Sequence, residues 1–275
     1  MSLLVIPLIM VAGAVAGCLG ALLGLGGGVF LIPFLNVGLG LDMPIASGIS
    51  LMTVMATSSI VAAGSANRDV INLRLGLMLQ MPAVAGGLAG AEAVELLSAR
   101  TLSLIFAVVT GGIGVVMLTR LDRRNVILDP LVQPNLFGGR YYEAESGRKV
   151  VYRFRRLPAA LGISFSGGIL SGLLGIGGGI LQVPALNAWC GVPMRAAAAT
   201  TAAMIGITAL GSVPIYYSRG SIVAPLAAAA VLGVVAGSRA GMWISPRTRA
   251  RWLKLLMVLV LVLVSATYFY KAASL

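Results

Sequence analysis

Long apolar runs, each stopped by a short polar or charged stretch, divide the chain into segments near 3–23, 29–41, 45–66, 73–91 and 101–119. The pattern returns near 157–174, 180–192, 196–217, 222–243 and 253–270. A helix needs about 20 apolar residues to span hydrocarbon. Four segments in each half reach that length, and the one after the glycine cluster is about half as long. The predicted fold is therefore all-α, a polytopic transmembrane helical bundle.

A shift of 151 residues aligns the two halves without gaps: residues 17–41 read GCLGALLGLGGGVFLIPFLNVGLGL and residues 168–192 read GILSGLLGIGGGILQVPALNAWCGV. The same shift pairs Ser50 with Thr201, Arg68 with Arg219, Gly86 with Gly237 and Arg100 with Arg251. Two merely greasy segments would not keep Gly, Pro, Asn and Arg in register over so long a stretch, so the chain is read as a duplication. The boundaries are 1–120 for the first transmembrane repeat, 121–156 for a linker and 157–275 for the second repeat. In the linker, alternation on either side of Ser146-Gly147 predicts a small β-hairpin.

Charge decides the topology. Nine basic residues lie between 120 and 156 (Arg120, Arg123, Arg124, Arg140, Arg148, Lys149, Arg153, Arg155, Arg156), which places the linker in the cytoplasm by the positive-inside rule. Five crossings per half also put Arg68, Arg74, Arg195 and the Arg247–Lys254 cluster inside, whereas four crossings in the second half would expose that cluster outside. An odd count inserts the halves in opposite senses, an inverted repeat. Met1 and Leu275 are then both expected outside the cytoplasm, in a multi-pass protein of the cell membrane.

Composition removes other classes. Of 275 residues 59% are hydrophobic and 10% charged, against about 25% charged in an ordinary soluble domain. Net charge is +12, but the basic residues sit between apolar runs and form no continuous face, so no nucleic-acid partner is expected. With no histidine and eight acidic residues, none deep in a segment, neither metal site nor catalytic residues are expected, and no cofactor. The chain reads as a non-enzyme whose partners are membrane lipids and a small anion; a homodimer is compatible with such a bundle.

The candidate chemistry lies in Gly24-Leu25-Gly26-Gly27-Gly28 and Gly175-Ile176-Gly177-Gly178-Gly179. Each glycine inside a helix costs about 1 kcal/mol relative to alanine, so consecutive ones, with Pro33 or Pro184 soon after, mark a break. Non-helical backbone at membrane depth persists only inside protein or along a water-filled cavity. Gly26, Gly27, Gly28 and Gly177, Gly178, Gly179 stand at the start of the short segments, where free N–H groups and the helix dipole favour an anion. Asn36, Ser50, Asn187, Thr200 and Thr201 complete the predicted substrate-binding set, with Ser47, Thr53, Thr57, Gln182 and Thr208 nearby. Arg68 and Arg195 are the candidate anion entrance. Outer glycines such as Gly13 are read as spacers, and Gly13→Ala is expected to be mild.

The doubled G-L-L-G-[LI]-G-G-G-x-[FL]-x-[VI]-P signature resembles that of the sulfite exporter TauE/SafE family. The likeness covers essentially the whole chain outside the linker. It implies secondary transport: export of sulfite, sulfoacetate or a related small organosulfur anion across a cytoplasmic membrane. An anion channel or a proton-coupled carrier of another oxyanion or carboxylate is the alternative reading.

Overall fold

The structure is a computed structural model that describes residues 5–65, 70–119, 133–143, 148–245, 248 and 250–274. Met1, Arg68, Leu275 and much of the 121–156 linker lie outside these residues. The first half contains α1 (Val5–Leu23), α2 (Gly28–Pro33), α3 (Met43–Ser65), α4 (Leu73–Ala93) and α5 (Ala99–Leu118). Strands β1 (Gly139–Glu143) and β2 (Arg148–Tyr152) pair antiparallel, with Gly139 opposite Tyr152. The second half contains α6 (Leu157–Leu174), α7 (Gly179–Ala188), α8 (Met194–Ser218), α9 (Ala224–Ile244) and α10 (Ala250–Ser274). Eight of these helices are long and apolar enough to cross a membrane, and together they make a polytopic helical bundle. Of the two short ones, α2 runs on as a π-turn over Phe34–Gly38 and α7 has 10 residues. At 1.5 Å per residue each extends about 15 Å, half the hydrocarbon thickness.

Both prolines sit inside the short helices and do not form the breaks. Pro33 is the last residue of α2, and the wider π-turn follows directly, one way to re-form bonding around a missing N–H. The breaks belong to the glycines: Gly24, Gly26, Gly27, Gly175 and Gly177 all have positive φ, between 69° and 80°, which no other residue adopts cheaply.

Helices pack on glycine stripes. A Cβ at Gly13 would stand 2.7 Å from Ala230 O, and one at Gly17 2.5 Å from Val234 O, so α1 and α9 touch backbone to backbone. Gly168 and Gly172 of α6 meet Ala83 and Gly87 of α4 in the same way. The expected mildness of Gly13→Ala is therefore corrected: the methyl would have to enter the backbone of α9. Contacts of Met10 with Gly233 and Cys18 with Gly241 make α1 and α9 parallel, as Ala83 with Gly168 and Gly87 with Gly172 make α4 and α6. Helices equivalent under the 151-residue shift do the opposite. Ser58 of α3 donates to Ala203 O of α8 (2.9 Å) while Met55 lies against Gly206, so the two run antiparallel. Between α5 and α10, Phe106 stacks on Tyr268 at 4.3 Å and Gly114 meets Leu261, again antiparallel.

Loops sort onto two faces. On one, Asn72, the N-cap of α4, gathers the hairpin: its Nδ2 donates to Phe137 O (2.8 Å), Gly138 O (3.2 Å) and Tyr152 Oη (3.1 Å). Arg155 N donates to Cys190 O (3.0 Å), joining the hairpin to the connection after α7. Arg195 Nη2 donates to Thr248 O (2.6 Å). The opposite face holds Arg219, paired with Glu92 (2.8 Å) and Glu95 (3.0 Å), and Gly48 packed on Ser221 O.

Candidate substrate site at the glycine crossing

The two glycine breaks pass each other antiparallel in the middle of the bundle. A Cβ at Gly28 would meet Ser50 Oγ at 2.6 Å, Gly175 O at 2.9 Å and Ile176 Cα at 3.1 Å. One at Gly179 would meet Gly24 O at 2.6 Å, Leu25 Cα at 3.2 Å and Thr201 Cγ2 at 3.4 Å. These are equivalent atoms under the 151-residue shift, so the crossing has a local two-fold. Gly26 and Gly177 both lie against Val54 of α3 and Ile205 of α8. Residues 24–29 and 171–180 are buried throughout.

The short helices start at this crossing. Helical bonding in α2 begins with Phe30 N and Leu31 N donating to Gly27 O (3.1 and 3.2 Å), and in α7 with Leu181 N and Gln182 N donating to Gly178 O (3.3 and 3.1 Å). The N–H groups that precede these donors have no partner within the helix. Both positive dipole ends therefore face the same buried spot from opposite directions.

Ser50 Oγ donates to Gly175 O (2.6 Å) and Ser47 Oγ to Leu174 O (3.0 Å), so α3 clamps the second break through two hydroxyls. Sequence positions Gly26–Gly28, Gly177–Gly179, Ser50 and Thr201 are thus brought together. Asn36, Asn187, Thr200 and Arg195 are placed elsewhere. Asn36 Nδ2 donates to Leu41 O (2.7 Å) and Asn187 Nδ2 to Val192 O (2.9 Å), closing the same corner at the far end of each short helix. Lys271 Nζ adds bonds to Asn36 Oδ1 (2.6 Å) and O (3.2 Å), a cation at the negative end of α2. Thr200 Oγ1 accepts from Asn72 N (2.9 Å), toward the hairpin. Arg195 stands on the hairpin face, bonded to the α9–α10 connection.

Sequence reasoning passed over Val54, Ile205, Asn72 and Lys271. Val54 and Ile205 were legible in principle, since the repeat shift pairs them, but two apolar side chains in apolar helices carry no other signal. Among the described residues no group of His, Cys, Asp and Glu is gathered that could hold a metal ion.

A bundle of apolar spans around two crossed, interrupted helices defines a polytopic membrane protein of the transporter type. Residues 9–268 match the family described as sulfite exporter TauE/SafE, and the chain belongs to that family. It is 25% identical over 271 residues to the probable membrane transporter protein YunE of Bacillus subtilis (strain 168), covering 96% of this chain and 97% of that one. It is 26% identical over 271 residues to the probable membrane transporter protein MJ0441 of Methanocaldococcus jannaschii, covering 93% and 92%. No solved structure matches the chain.

Proposed function

We propose that this member of the family exports a small oxyanion, sulfite or a related organosulfonate, across the cytoplasmic membrane, binding it at the glycine crossing. The observation that carries the reading is the convergence of two short-helix N-termini on one buried spot where the backbone has no Cβ atoms. Neutral donors and dipole ends suit an anion that must leave again, because a fixed buried cation would hold it too firmly.

The repeats insert in opposite senses in this reading. Antiparallel packing of α3 on α8 and of α5 on α10 supports it. So does the gathering of Arg74, Arg195, Arg251 and the basic hairpin toward one face, which is then cytoplasmic. Each glycine stretch with its short helix makes one crossing, and the ends of α1 and α10 open to the outside. Cysteine labelling at Val5 and Ser274 positions from opposite sides of the membrane would remove this arrangement.

No carboxylate or histidine stands in the middle of a predicted span, so a buried proton carrier is missing from the sequence. An anion leaving a cell whose interior is negative already runs downhill by about 2.3 kcal/mol per charge per 100 mV. Export is therefore electrogenic uniport. Sulfite flux in proteoliposomes under a clamped potential tests this: flux that follows voltage supports it, and flux that ignores voltage but follows an imposed pH gradient replaces it with proton coupling.

A further inference from the structure

We propose that Val54 and Ile205 close the path through the crossing and set the size of the anion this chain accepts. The inference rests on the reading of the crossing as the substrate site. The two residues are equivalent under the 151-residue shift, lie on antiparallel α3 and α8, and are each 0% exposed. Each touches both breaks. At Gly26 the place of a Cβ is 2.5 Å from Ile205 Cδ1 and 3.2 Å from Val54 Cγ1; at Gly177 it is 3.0 Å from Val54 Cγ1 and 3.7 Å from Ile205 Cδ1. Their methyl groups occupy the space that the missing Cβ atoms leave beside the glycine backbone.

Two consequences follow from that placement. Hydrocarbon offers an anion no compensation for lost water, so the path is shut while the two side chains meet, and it opens only when α3 and α8 part at this level. The space that opens is bounded by these side chains on one side and by rigid backbone on the other, since Gly28 and Gly179 already lie against the carbonyls of Gly175 and Gly24. A compact inorganic oxyanion such as sulfite fits such a space. A sulfonate with a carboxymethyl tail, such as sulfoacetate, needs the room the methyl groups fill.

The test uses the full chain, purified and reconstituted, with sulfite and sulfoacetate as probes in thermal-shift and flux measurements. Wild type should prefer sulfite. Val54→Ala and Ile205→Ala should move the sulfite-to-sulfoacetate ratio toward sulfoacetate by about tenfold or more, the range expected when a pocket gains the volume of a methyl or two. Ile205→Val should move it the same way by less, and it decides the matter if the alanine variants do not fold. Val61→Ala, which empties a separate small cluster with Ala21 and Ala202, should leave the ratio unchanged. Folded variants that all keep the wild-type ratio overturn the proposal. If wild type neither responds to nor transports any sulfur oxyanion, the substrate reading fails instead. The closure is then judged by chloride leak: a leak through the Val54 and Ile205 variants, absent from Val61→Ala, upholds it, and no leak overturns it.

Discussion

The two glycine breaks share one sequence pattern and fold into the same crossing, yet only the second receives side-chain hydroxyl bonds among the described residues. Gly175 O and Leu174 O each receive a hydroxyl from α3, Ser50 at 2.6 Å and Ser47 at 3.0 Å. The equivalents of Ser50 and Ser47 under the 151-residue shift are Thr201, whose Cγ2 methyl lies against Gly179 of the second break, and Ala198, whose backbone lies against Gly24 of the first. The outer ends differ in the other direction. The corner after α2 is fastened by Lys271 and Tyr268 as well as by Asn36, and α2 relaxes into a π-turn there, while α7 stays regular. A lysine bond marks the outer corner of α2, and two hydroxyl bonds from α3 mark the second break.

Substitutions at the glycines should break the comparison most sharply. Gly27 has φ of +80° and a Cβ there would meet Ala16 O at 2.9 Å, whereas Gly178 has φ of −56° and its nearest neighbour, Gly167 O, is 3.2 Å away. Gly27→Val should abolish folded protein, as judged by recovery from size exclusion. Gly178→Val should leave folded protein that no longer gains thermal stability from sulfite. Equal loss in both would mean that the two breaks are equally strained.

The next effect concerns the hydroxyl clamp. Ser50→Ala strands the buried Gly175 carbonyl and should destabilise the chain by about 1–3 kcal/mol. Thr201→Ala removes a methyl that lies against Gly179 and should cost under about 1.5 kcal/mol, the range for removing a small part of a buried side chain. Thermal unfolding in one detergent compares them, and an equal shift of both midpoints would erase the asymmetry.

The outer corner of α2 comes next. Asn36→Ala removes the corner bond and a partner of Lys271, so it should lower the midpoint by about 1.5 kcal/mol, the low end for a bond to a charged group. An unmoved midpoint would mean that Lys271 adds nothing to this corner. Asn72→Ala frees the hairpin from the bundle and uncaps α4, whose Leu75 N donates to Asn72 Oδ1 (3.1 Å), at about 1 kcal/mol. Burial raises the Tyr152 hydroxyl pKa there and its bond to Asn72 lowers it. The variant should show faster trypsin cleavage at Arg153 and Arg155 with the helical transition lowered only by the lost cap, and unchanged cleavage would mean that Tyr141, Val150 and Tyr152 hold the hairpin by packing alone.

Much of this molecule was legible in its residues. The spans follow from the length of apolar runs, and the two breaks follow from consecutive glycines, because both are local properties of a backbone that must satisfy its own hydrogen bonds in lipid. The hydroxyls of Ser50 and the methyl of Thr201 were found through the repeat. What the sequence marked for the site without distinction, the structure divided. Asn36, Asn187 and Thr200 look as suitable for a ligand as Ser50 does, but their amides and hydroxyl are engaged with the chain itself at corners set by how the short helices end. Polarity in a sequence reports that a partner is needed, and only the packing says whether that partner is backbone or ligand.

The sequence by itself determined the duplication, the number and length of the apolar segments, the positions of the breaks and the asymmetry of charge, all carried by residues close together in the chain or by a constant shift. Tertiary structure alone decided that the breaks cross antiparallel, that Val54 and Ile205 lie against both, and that α3 sends its two hydroxyl bonds to the second. Those outcomes depend on contacts between residues more than 100 positions apart, such as Ser50 with Gly175 and Ser58 with Ala203, and on the close approach that glycine stripes allow α1 to α9 and α4 to α6. Periodicity reports which face of a helix is apolar; it carries no record of which other face that one meets.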